Sequence, residues 1–267
     1  MLELLEYAFF RNALIGILLI SVPAAMIGTY IITRRMVAIT GGVTHACFGG
    51  LGLGYFLGVS PVAMAALFAV ASSLGVEWMS ASRRVRKDSA VAVVWALGMA
   101  IGVLFVFLTP GYVPELNAFL FGNILTITSG DLWIFGSFTA LLLLFYAFYF
   151  DKIVIVAFDR DFASVAGLPV KFINSAMSVF VALCVVLTIK MVGIMLLMSM
   201  LSLPAMIAES YCRSYKSITR VAVIVSALTC VAGLMVSAHV DVPCSALIVI
   251  IQVIVFGLSK VRLTHTV

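Results

Sequence analysis

The sequence is poor in charge: 16 basic and 11 acidic residues in 267 make 10%, against about 25% in an ordinary soluble domain. A water-soluble globule of this size would cover itself with lysine, glutamate and arginine, so that class is excluded. Paired cysteines are missing as well. Cys47, Cys184, Cys212, Cys230 and Cys244 form no C-x-x-C pair and mostly lie in apolar runs, which argues against a disulfide framework or a thiolate zinc finger. No G-x-x-x-x-G-K-[ST], H-E-x-x-H or G-x-S-x-G run occurs, so the chain has no recognisable means to bind nucleotide or hydrolyse a substrate, and an enzyme reading finds no support. The first residues, Met1-Leu2-Glu3-Leu4-Leu5-Glu6, are acidic where a secretory leader is basic. The first apolar run is therefore expected to stay as an anchor. The net charge of +5 is dispersed through short loops without a basic stripe interleaved with aromatics, which excludes nucleic acid as a partner. Linkers, low-complexity tracts and soluble domains are absent too, so residues 1–267 read as a single transmembrane domain.

What the sequence has in abundance is hydrocarbon, with 64% apolar residues. A spanning helix needs about 20 mainly apolar residues. Such runs occur near 10–32, 39–58, 61–81, 90–109, 131–150, 171–189, 191–208, 219–238 and 243–259. The expected fold is all-α: a polytopic membrane protein of about nine transmembrane helices, with Pro23 and Pro204 interrupting the first and seventh and a count of eight left open. Placing the first loop inside puts fourteen of the sixteen basic residues in the cytoplasm and leaves only Arg11 and Lys190 outside. This predicts an outer N-terminus and an inner C-terminus. Fusing the sixth and seventh runs around Lys190 would spoil the bias, which favours nine spans. The stretch from Thr109 to Gly130 is broken by Glu115, Asn117, Gly122 and Asn123, and reads as an outer amphipathic or partly re-entrant piece.

The second run carries the most unusual chemistry. Seven of the eighteen positions from Gly41 to Gly58 are glycine. At helical spacing His45 shares a face with Gly41, Gly49 and Gly52, a strip that lets another helix come close. His45 lies ten residues past Arg35, about 15 Å of helix rise. An ionisable side chain so deep in a bilayer is a functional candidate, and neutral imidazole is a common ligand for zinc-like ions. The competing reading is a histidine bonded across a tight helix contact. Before the last run, His239, Asp241 and Cys244 fall within six residues at the outer end, a set able to attract a divalent cation; alternatively Asp241 simply caps the helix entered at Pro243. Between runs five and six, Asp159 reads as an N-cap, Ala163 and Gly167 lie one turn apart, and Pro169 stops the helix. The result is a short amphipathic rod whose small-residue face would suit a groove on a partner, or a mere connector. Glu77 in the third run either sits in a helix interface or reaches toward Arg83 and Arg84.

Taken together, these segments resemble the membrane subunit of the metal-ion ABC transporter family that imports zinc, manganese or iron in bacteria. The resemblance runs over most of the chain. Arg35-Met36 followed by Thr44-His45-Ala46 is similar to the family's second-helix signature, and Asp159-Arg160-Asp161-Phe162-Ala163 with Gly167 to its coupling segment. Val192-Gly193 through Leu203-Pro204-Ala205 to Ala208 resembles its seventh-helix pattern, and Asp241-Val242-Pro243 the motif before its last helix. The resemblance implies a second copy of this chain, a cytoplasmic pair of ABC ATPases on separate polypeptides, an extracytoplasmic metal-binding protein and an inner bacterial membrane. It implies no permanently bound cofactor, the divalent ion being cargo. In that family an aspartate stands one turn before the histidine. Here that place is Gly41, so Thr44, Cys47 and Asp241 become the compensating donors to consider beside His45 and His239. Cys244 and Ser245 likewise stand where the family has a small residue and a glycine.

These readings converge on an importer in which ATP-driven closure, felt through Asp159, Phe162, Ala163 and Gly167, opens an ion cavity inward, with zinc the favoured cargo ahead of manganese or iron. The alternatives are an ion-coupled secondary carrier, an ABC permease for a metal chelate or cobalamin, and a purely structural scaffold. A carrier would need intramembrane acids and an inverted repeat; Glu77 alone stands clearly inside a run.

Overall fold

The computed structural model describes residues 6–81, 85–110, 122, 124–240 and 242–264. Its helices are α1 (Ala8–Thr33), α2 (Val37–Leu57), α3 (Pro61–Ala81), α4 (Lys87–Leu108), α5 (Ser129–Phe158), α6 (Arg160–Val165), α7 (Val170–Tyr211), α8 (Tyr215–Val240) and α9 (Cys244–Thr264), with a 3-10 turn at Ile124–Thr126 before α5. No strand occurs among the described residues. All-helical architecture is what hydrocarbon demands, because a helix satisfies its own backbone where no water can. The ends follow from local chemistry. Gly58 closes α2 in the left-handed conformation (φ 66°) and Pro61 opens α3. Thr128 and Asp131 cap α5 reciprocally, the Asp131 amide donating to the Thr128 hydroxyl at 3.2 Å and the Thr128 amide to the Asp131 carboxylate at 3.1 Å.

Among the described residues eight helices are long and apolar enough to cross a membrane, the count that the sequence had left open beside nine. The sixth and seventh predicted spans are the two arms of α7, whose 42 residues are interrupted at Gly193 (φ 77°, ψ 173°). The break falls neither at Lys190 nor at Pro204, both of which stay in helix, as Pro23 does in α1. A straight helix of that length would run about 63 Å. Yet Asn174, near its start, accepts a hydrogen bond from Arg34 at 2.5 Å, while Glu209 and Cys212, near and just past its end, line a cavity together with the same Arg34. The chain therefore turns back at Gly193, and the two arms return to one face. Glycine suits this position because its φ and ψ lie in a region closed to residues with a Cβ.

The faces are consistent throughout. Lys190 pairs with Asp131 at the face opposite Arg34, and Lys260 of α9 reaches Ser210 at the Arg34 face. The start of α1 and the Lys260 end of α9 thus lie on opposite faces. α1, α2 and α7 form the buried centre. There Arg34 also donates to the Tyr30 hydroxyl at 2.6 Å, a knot that ties the end of α1 to the first arm of α7. α3, α4, α5 and α9 carry the exposed apolar exterior, with Trp78 and Trp133 near opposite ends of their helices, where amphipathic rings favour the bilayer interfaces.

Replacing Gly193 by alanine is expected to cost about 1–3 kcal/mol through backbone strain, lowering the melting temperature of the detergent-solubilised protein. Gly136→Ala, where an added Cβ meets nothing within 4 Å, should leave it unchanged.

Candidate metal path and coupling segment

The glycine strip of α2 is covered by α4. A Cβ on Gly49 would stand 2.8 Å from the Gly98 carbonyl oxygen, one on Gly52 2.5 Å from that of Gly102, and one on Gly98 2.4 Å from the Ala46 Cα. The two backbones touch, as the expected strip requires. This contact sets the surroundings of His45. Its ring stacks on Trp95 of α4 with centroids 4.3 Å apart and planes 7° from parallel. His45 is half-buried, and no hydrogen bond to either ring nitrogen is found among the described residues. One face of the ring is thus covered by the indole, and its two nitrogens remain available.

The donors considered beside it are placed differently. Thr44 is fully buried and donates to the Thr40 carbonyl at 2.6 Å. Cys47 is also fully buried, its thiol 3.0 Å from the Val43 carbonyl. Both side chains turn back on their own helix, the ordinary resource of hydroxyl and thiol in an apolar span, and neither joins His45 on the glycine face. His239 is exposed, with Nδ1 2.9 Å from the Met235 carbonyl, and Cys244 belongs to the start of α9. Asp241 lies outside the described residues, as does most of the Thr109–Gly130 stretch. No group of three His, Cys, Asp or Glu side chains able to hold a metal occurs among the described residues. A site built from the described residues of one chain is therefore sparse in these donors. Glu77 accepts from Ser178 at 2.7 Å and so belongs to the contact of α3 with α7.

Sequence reasoning did not find Trp95 or Met198. The Met198 ε-methyl lies 3.4 Å from where a Cβ on Gly41 would stand, and a Trp95 ring carbon 3.9 Å from the same point. The signal for Trp95 was its register on a helix lined by Gly98 and Gly102.

The segment read from the sequence as a coupling rod forms a single short helix, α6. Asp159 caps it, accepting from the Phe162 amide at 2.9 Å. Its end is a Schellman closure, with Leu168 N–H on the Ala163 carbonyl at 3.0 Å, Gly167 N–H on that of Ser164 at 3.1 Å, and Gly167 itself at φ 73°. The expected small-residue docking face is corrected by the structure. Ala163 is fully buried in the chain's own core, where its smallness lets α6 lie close, and the exposed side of the segment carries two large apolar side chains, Phe162 60% and Val165 90% exposed, beside Asp161, Ser164 and Gly167. Beside α6 opens a cavity of about 740 Å³, lined by Arg34, Arg35, Lys87, Arg160 and Arg213 with Glu209 as its one carboxylate.

Comparison with known proteins accords with this geometry. A family model described as the ABC 3 transport family matches residues 6–262. The chain is 31% identical over 263 residues to the chelated iron transport system membrane protein YfeD of Yersinia pestis, covering 97% of this chain and 87% of that one. It is 26% identical over 256 residues to the manganese transport system membrane protein MntC of Listeria monocytogenes, covering 96% and 91%. Among solved structures it is similar to PsaBC from Streptococcus pneumoniae in complex with Fab, with a TM-score of 0.84, 27% identity, and 97% and 93% of the two chains covered.

Gly98→Val should force α4 away from α2 at a cost of about 1–3 kcal/mol, the range for overpacking a filled contact. The expected outcome is a lower melting temperature together with a changed Trp95 emission. Gly75→Ala, which meets open space, is the silent control.

Proposed function

Since the chain belongs to the ABC 3 transport family, we propose that it is the membrane permease of an ATP-binding cassette importer that moves a divalent transition-metal ion into a bacterial cytoplasm. The observation that carries this reading is His45: an imidazole midway along α2, stacked on Trp95, with neither nitrogen hydrogen-bonded among the described residues. Zinc is the favoured cargo, with manganese or iron next; relatives named for manganese and for chelated iron support the class of substrate. One or two donors per chain suit a conduit, because binding there must be weak enough to let the ion leave.

The Arg34 face, rich in arginine and lysine, is the cytoplasmic one by the positive-inside rule. On it α6 offers an apolar tip to a separate ATPase. A push on α6 passes through Gly167, Leu168 and Pro169 into the first arm of α7, where Asn174 holds Arg34 at 2.5 Å. Arg34 ends α1 and stands three residues before α2 begins, so the motion reaches the helix that carries His45. Two copies of this chain would place two such helices about a shared axis, fed from outside by a metal-binding protein and driven from inside by a pair of ATPases.

His45→Ala should abolish ATP-dependent metal uptake while assembly with the ATPase stays intact; uptake at the wild-type rate would remove His45 from the route. Phe162→Asp should release the ATPase during co-purification from detergent without loss of the folded permease, and an unchanged yield of complex would place the docking surface elsewhere.

A further inference from the structure

Two helices of this chain close on a left-handed glycine, α2 at Gly58 (φ 66°) and α6 at Gly167 (φ 73°). The close of α1 uses Arg35 instead, at φ 54°, with the Arg35 amide on the Ile32 carbonyl and the Met36 amide on that of Ile31, both at 2.9 Å. This is the Schellman pattern, whose ordinary occupant is glycine because a Cβ strains the left-handed region. Among the described residues Arg35 is the one non-glycine with positive φ. The turn itself gains nothing from an arginine there, but the cavity beside α6 does, because Arg35 lines it. Four elements bring cations to that cavity: Arg34 and Arg35 just past α1, Lys87 at the start of α4, Arg160 at the start of α6 and Arg213 in the turn before α8. None of the five is ion-paired with a carboxylate among the described residues, although Glu209 shares the wall. Arg34 donates to the neutral oxygens of Tyr30 and Asn174, and the Lys87 ammonium to the Met36 sulfur at 3.7 Å.

From this cluster we infer that the cavity binds a phosphate group, carried by a soluble ligand or by a lipid headgroup, and that the bound anion pins the ends of α1, α4, α6 and α7 to one another. Like charges gathered in one place repel and weaken the compact state unless a counter-charge sits among them. Four of the five cations are guanidiniums, whose planar forks match the oxygens of an oxyanion. A phosphate monoester meets such a cluster with three acceptor oxygens and close to two charges, where a carboxylate brings two oxygens and one charge. The anchor is already in place. Arg34 is held by Tyr30 and Asn174, and Arg35 is fixed by the closure of α1, so little side-chain freedom is left to lose at this end of the cavity. The volume of about 740 Å³ lies in the range of pockets for small organic ligands, and Ile32, Val156 and Phe158 give it an apolar wall for the rest of the molecule. The positive-inside rule makes this face cytoplasmic, within reach both of inner-leaflet headgroups and of soluble phosphates. The inference is independent of the ion route past His45.

The test compares melting temperatures of the full chain, wild type against Arg35→Gly and against Arg35→Gly with Arg213→Gln, in a maltoside detergent that carries no phosphate. Glycine keeps the left-handed closure and removes only the guanidinium, so the variant should melt no lower than wild type before any anion is added. One arm adds inorganic phosphate against sodium chloride of equal ionic strength. The other adds phosphatidylglycerol against diacylglycerol with the same chains. Phosphate salts stabilise many folds by exclusion from the surface, so the readout is the difference between wild type and variant. The expected result is a rise of about 3 °C in wild type, cut to less than half in the single variant and abolished in the double. A rise with inorganic phosphate assigns the site to soluble ligands, and one with phosphatidylglycerol alone assigns it to the headgroup. Equal rises in wild type and variants, or no rise with either probe, overturn the inference. So does an equal rise with poly-glutamate, which would make the cavity a contact for acidic protein.

Discussion

A backbone amide inside a bilayer has no water to turn to, and this constraint governs the whole chain. Nearly every described residue between the faces is helical, and the one departure within a span, Gly193, is placed where protein surrounds it: Gly193 is buried, and Gly122 packs directly against its backbone. The reversal there lets a single 42-residue element act as a hairpin. Its first arm carries the Asn174 bond to Arg34, and the Lys190 to Asp131 pair fixes its crown against α5. A lipid-facing break at that depth would expose unpaired carbonyls at a cost of several kcal/mol each.

Close helix approach is the second consequence of the same solvent. Without a hydrophobic drive between apolar helices, association depends on packing, and glycine permits the nearest packing. The contact of α2 with α4 is built on Gly49, Gly52, Gly98 and Gly102. It brings Trp95 beside His45 at a separation set by backbone contact rather than by flexible side chains. The aromatic wall of the candidate path is therefore as rigid as the helix pair that carries it.

Much of this was legible in the sequence because hydrocarbon writes long runs. All the apolar stretches became helix, the glycine strip met a neighbouring backbone, and Asp159 and Gly167 bound the rod between α5 and α7. The number of continuous helices was not legible. Pro23 and Pro204 drew attention as the breakers, yet each stays within its helix, while Gly193 adopts a φ and ψ that only its neighbours in space make necessary. The outward face of α6 was misjudged because Ala163 and Gly167 are both small; smallness served the chain's own packing at the first and a positive φ at the second. Trp95 and Met198 escaped because each is ordinary in an apolar run, and their meeting at Gly41 depends on how three separate helices assemble. The Asp241 segment lies outside the described residues.

The basic cavity beside α6 sets a direction for traffic. Five guanidinium and ammonium groups around one carboxylate make its mouth repulsive to a positive ion over roughly 8 Å at physiological salt. A cation near this face would be steered sideways, away from the pool of arginines, so the pocket fences the flank of α6 against positive charge and favours an anionic visitor.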